Sequence, residues 1–204
     1  MGCDIHSFVM TLNKQTNTYK PIVGYVSTPF GGAPYWRTIQ PYEDRYYDFF
    51  GFITEGRCRG DDYPIEGVCF NQGRFSPVTV DPSYTTNITN SDQDTCTSLS
   101  EINRTAVDYF NTDNHDLHTH GWVSLAQLKR NRKLVKKTYK HLQYKLNKQG
   151  DDNDGLLTYR IDYLKGINQA LKLMINNTEA MLSFTWEAGM IDDLNVIICF
   201  AFDS

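Results

Sequence analysis

The sequence predicts an α+β fold: a small mixed or antiparallel sheet that includes strands at both ends of the chain, packed with a long two-helix hairpin. Three observations carry this expectation. The N-terminal run Ile5, Phe8, Met10 and Leu12 partly alternates as a half-buried strand does. Two long stretches after Ser124 repeat apolar residues at helical spacing, and Leu194 to Phe202 is an almost unbroken β-branched and aromatic run.

Taken in order, the first strand is followed by turn chemistry at Asn13-Lys14-Gln15-Thr16-Asn17 and a returning strand at Tyr19 to Val23, a hairpin. Strand alternation would put Asp4 and His6 on one face. Residues 27–40, rich in Gly, Pro and aromatics, read as loop, and residues 44–53 as a short aromatic helix or turn. Residues 54–100 show little periodicity, and about 81–100 reads as a variable surface loop. Ser124-Leu125-Ala126-Gln127 is a capping box, and Leu128, Val135, Tyr139, Leu142 and Leu146 continue an amphipathic helix. Gly150 to Gly155 breaks it, and Leu157, Ile161, Leu164, Leu171, Ile175 and Leu182 mark a second helix antiparallel to the first, so the hairpin covers about 124–187. The last run is a buried strand expected in the same sheet as the first.

With 204 residues, 40% hydrophobic and 13% aromatic, the chain can bury one core and is read as a single domain over 1–204. No segment has the make-up of a secretory signal or a membrane span, so the expected location is the cytoplasm, with no membrane partner. The five cysteines are scattered, with no C-x-x-C pair, which suits free thiols better than a disulfide framework or zinc ribbon. The net charge of −4 conceals a segregation: residues 124–150 hold nine of the 20 Lys and Arg and none of the 24 Asp and Glu. Such a helix suits nucleic acid, a phosphate-bearing ligand, or the acidic remainder of another copy in a homo-oligomer; a plain solvated face is the alternative.

Four of the five histidines, His6, His115, His118 and His120, lie in two short segments that also contain Asp4, Asp113 and Asp116. D-x-H and H-x-H in strands would bring imidazole and carboxylate to one face, where they could hold a divalent metal (Mn, Mg or Zn) or act as an acid–base set. A metal there would activate water for phosphoester hydrolysis. The plain alternative is a core histidine at position 6 and a polar loop at 115–120. Arg45, Arg57, Arg59 and Arg74, with Trp36, Tyr46, Tyr47 and Phe49, supply guanidinium forks and ring faces suited to phosphate and base. The blocks D-x-H, Gly60-Asp61, Asn114-His115-Asp116 and His118-x-His120 echo metallophosphoesterases, but residues 54–100 lack the alternating strands and helices that scaffold needs. No P-loop, G-x-G-x-x-G or G-x-S-x-G occurs, and Asp151 to Gly155 lacks the spacing of a calcium loop.

The opening MGCDIH, Asp44-Arg45-Tyr46-Tyr47 with Phe50-Gly51-Phe52, the D-x-H-x-H-x-W of Asp116 to Trp122, and the terminal Phe200 to Ser204 resemble a largely uncharacterised group of small bacteriophage proteins. Its matching positions are Asp4, His6, Arg45, Asp116, His118, His120 and Trp122; its R-G-x-P-x-D block is only partly echoed around Arg74. The resemblance implies a phage protein that counters host immunity in the host cytoplasm. By analogy it would hydrolyse a nucleotide or cyclic nucleotide signal, or sequester one without catalysis as a sponge. The expected catalytic residues are His6, Asp116, His118 and His120, with Asp4, His6, His118 and His120 as the metal set and Arg45, Tyr46, Tyr47, Arg74 and Trp122 contacting ligand. Binding of nucleic acid or a host protein through the basic helix is the third expectation.

Overall fold

A computed structural model describes residues 4–14, 18–26, 35–54, 117–149, 155–184 and 193–203. The predicted hairpin is present as β1 (Ile5–Asn13) and β2 (Thr18–Pro21), antiparallel in a register that sets Met10 opposite Pro21. A second, two-stranded sheet pairs β3 (Val23–Val26) with β4 (Tyr35–Thr38). The Gly- and Pro-rich surroundings predict loop for residues 35–38, and the structure has a strand there instead. Tyr-Trp-Arg-Thr, aromatic and β-branched, favours a strand once a partner lies alongside, whatever the Gly and Pro around it suggest.

The aromatic segment forms α1 (Tyr47–Thr54), whose Phe49, Phe50, Phe52 and Ile53 are buried. β5 (Leu117–Ser124) leads directly into α2 (Leu125–Gln149), and Ser124 caps that helix: the Gln127 backbone N–H donates to its Oγ at 3.1 Å. α3 (Gly155–Ser183) completes the helical hairpin. Lys129, early in α2, donates to Glu179, late in α3, at 2.7 Å, so the two helices run antiparallel. A single 3-10 turn (Asp193–Asn195) precedes β6 (Val196–Asp203), and Lys129 also reaches Asp193 at 2.7 Å.

The main sheet has the order β2-β1-β6-β5, all pairs antiparallel, so the strand nearest the C-terminus lies between β1 and β5. One face packs on the helices: Ile5, Val9, Val123, Val196, Ile198, Phe200 and Phe202 share a core with Phe50, Leu128, Val135, Leu164, Ile167 and Leu171. The Phe50 and Phe202 rings lie 5.1 Å apart. The other face carries a smaller cluster of Phe8, Met10, Ile197, Cys199 and Ala201, with Tyr19 and Trp122 against it. Parity along β1 follows: odd positions face the helices, and His6, in step with Phe8 and Met10, belongs to the second face. Among the described residues no helix is long and apolar enough to cross a membrane.

Candidate functional site

Asp4 and His6 stand at the start of β1, but not as the alternation rule has them. Asp4 precedes the strand, and its carboxylate meets the Arg45 guanidinium in a fork: Nη2 donates to Oδ2 at 2.6 Å, and Nε pairs with Oδ1. Two residues predicted for different tasks, one for a metal and one for phosphate, are therefore partners of each other. Both side chains are substantially exposed, so water screens the pair and it stabilises the fold by only on the order of 0.2–1 kcal/mol; its effect is to position Arg45.

That contact ends a short extended segment running along the edge of β1 that β2 leaves open. The Ser7 N–H donates to Gln40 Oε1 at 3.4 Å, and the buried Ser7 hydroxyl donates to the Tyr42 carbonyl at 3.1 Å. Asn177 of α3 fastens the same segment from the other side, donating to the Pro41 carbonyl at 2.9 Å. Buried backbone groups that would otherwise lack partners are thereby satisfied by side chains.

The histidine segments meet through β6. His6 is opposite Ala201 on one side of that strand. On the other side His118 is opposite Phe202 and Gly121 is opposite Phe200, so Thr119 and His120 together face the single residue Ala201. This is a β-bulge, and it moves His120 into the row of His6 and Ala201. His118 instead shares the row of Ile5 and Phe202, both in the main core. The unbroken alternation expected to set His118 and His120 side by side is interrupted between them. Across β6 the backbones at His6 and at the bulge are two strand spacings apart, about 10 Å. No known family, curated protein or solved structure matches the chain.

Among the described residues no three His, Cys, Asp or Glu side chains converge on one point, and Asp4 already faces a fixed cation that would repel a metal ion. Trp122 packs beside Phe8 and Cys199 on the second face, so its ring is a wall of that cluster. Tyr47 is at the surface, edge-on to Phe50 with ring centres 5.7 Å apart. Arg57, Arg59, Arg74, His115 and Asp116 lie outside the described residues.

Beside Arg45 the fold forms a groove of about 340 Å³ that the sequence reading missed, lined by Tyr42, Asp44 and Tyr46 and by Gly166, Gln169, Ala170 and Leu173 of α3. Tyr46 fits only because position 166 has no side chain: a Cβ there would fall on its hydroxyl and 2.9 Å from its Cζ. Burial, then the Asp48 carboxylate that its hydroxyl hydrogen-bonds, push the Tyr46 phenol up to about 12, and burial chiefly raises Tyr42 as well. Both rings present neutral phenols. The signal available in the sequence was a glycine inside a helical pattern; the tight turn in which the Tyr46 N–H donates to the Asp44 carbonyl at 3.1 Å gave none.

Proposed function

We propose that the protein hydrolyses a phosphoester of a nucleotide or cyclic nucleotide signal, with His6 and His120 as the acid–base pair. The observation that supports this reading is the shared row: the bulge in β5 sets His120 across from His6, with only the small Ala201 between them. Histidine takes up and releases protons near neutral pH, and a pair flanking the scissile bond can do both halves of the reaction. One imidazole removes a proton from water as its oxygen bonds to phosphorus; the P–O bond to the leaving group breaks, and the other, protonated imidazole delivers its proton to the departing oxygen. Arg45, oriented by Asp4, contacts the phosphate oxygens as negative charge builds on them. The proposed setting is the cytoplasm of a phage-infected host, where such a reaction removes an immune signal.

The test is incubation of the purified protein with a panel of cyclic nucleotides and ADP-ribose-type signals, with Mn²⁺ or EDTA, followed by chromatography before and after heating the protein. Turnover is expected, with a bell-shaped pH profile. His6→Ala and His120→Ala are each expected to lower kcat by about 100-fold or more, and His118→Ala by less. Equal loss in all three variants would sink the pair assignment. A second reading, sequestration without catalysis, is favoured by the tyrosine-lined groove and predicts intact ligand released only on heating.

A further inference from the structure

On α2 the apolar and basic residues occupy opposite sides. Leu125, Leu128, Asn131 and Val135 are buried towards the core. Arg130, Lys133, Lys137, Lys140, Tyr144 and Lys148 recur every three or four residues on the outer side and are all exposed. These six positions run in one stripe about 27 Å long, from a rise of about 1.5 Å per residue. Residues 124–150 contain no acid to neutralise it. Lys129, on the flank, is matched by Glu179 and Asp193: burial lowers its pKa, but its hydrogen bonds to these two acids and their charges together outweigh burial and raise it. The stripe cations form no ion pair with any described residue.

Like charges one helical turn apart repel and weaken a helix. A row of them without countercharges is complementary to a row of phosphates. Tyr144, 64% exposed between Lys140 and Lys148 in the same row, adds a ring face that a solvated helix does not need. Duplex bases are already stacked on each other, whereas unpaired bases gain by stacking on an aromatic side chain. We infer that the outer face of α2 binds single-stranded nucleic acid, with Arg130, Lys133, Lys137, Lys140 and Lys148 along the backbone and Tyr144 under a base. This is independent of the catalytic reading, because the stripe points away from the sheet that carries the histidines.

The test uses the full chain and fluorescence anisotropy with labelled oligo-dT and oligo-U of about 20 nucleotides and a duplex of equal length, over about 50–300 mM KCl. Some four or five phosphate contacts to a single strand predict a log–log salt slope of about −3. The triple variant Lys133→Gln/Lys137→Gln/Lys140→Gln should weaken binding by at least about tenfold at the low-salt end and reduce that slope by about 2. Tyr144→Ala should weaken single-strand binding by about five- to tenfold with the slope unchanged. Circular dichroism of both variants should match the parent, and neither should melt lower, since the triple variant only relieves repulsion along the helix. No binding at the lowest salt would overturn the proposal, and so would tighter binding of duplex with Tyr144→Ala silent. A triple variant that binds oligonucleotide normally but changes oligomeric state would overturn it in favour of contact between copies.

Discussion

Gly166 shows how one absent side chain shapes the surface. Its bare backbone lets the Tyr46 ring lie against α3 and form one wall of the groove. In Gly166→Ala the new methyl needs the place of the Tyr46 hydroxyl, so the ring must shift out of its packing against α3. Gly166→Ala is expected to destabilise by about 1–3 kcal/mol, read as a lower urea midpoint, although alanine is the better helix former. An unchanged or higher midpoint would mean that Tyr46 yields easily. Residue identity was legible to this extent: Asp4, His6 and Arg45 each stand out in the sequence, Asp4 and His6 for a metal and Arg45 for phosphate, but the Asp4–Arg45 pairing does not, since nothing local tells a carboxylate whether a guanidinium about forty positions away will reach it.

At the scale of elements, helices were readable because their signals are local. The Ser124 cap, the apolar repeats of α2 and α3 and the break between them are all set by residues within a few positions of each other. Ser124→Ala is expected to cost about 1 kcal/mol in thermal or urea unfolding, and an unchanged midpoint would show the cap to be idle. Asn131 is an anomaly in this otherwise consistent helix. It sits 5% exposed in the apolar stripe, and its Nδ2 finds no hydrogen-bond partner among the described residues. Asn131→Leu removes a buried donor at similar volume and should raise stability by about 1 kcal/mol or more; a loss would show the amide to be satisfied. The bulge in β5 could not have been read in advance, because a bulge is a relation between two strands: only pairing with β6 decides that Thr119 and His120 share one partner.

For the whole molecule, several acids respond to burial in the same direction. Tyr19, Tyr42, Tyr46 and Cys199 all have raised pKa values, with burial the first cause in each. Below the ordinary values of 9.0 for the thiol and 10.0 for the phenols these groups are neutral in both folded and unfolded chains, and stability does not depend on them. As pH rises past those values the unfolded chain ionises first, so stability falls, and it continues to fall until the folded groups ionise too. The melting temperature should therefore drop steadily from about pH 9 to pH 12, and Tyr46→Phe should flatten part of that slope. A flat profile would show these groups to be better solvated than their positions imply.

The place of β6 in the sheet has a consequence for the order of events during synthesis. β1 is made first, and on the side where β2 does not reach it waits for a neighbour nearly two hundred residues away; β5 waits for the same one. A nascent chain that has emerged only as far as residue 190 already carries His6 and His120, yet the strand that aligns them does not exist. Whatever this row of residues does, it begins only when residues 196–203 have left the ribosome and paired between β1 and β5.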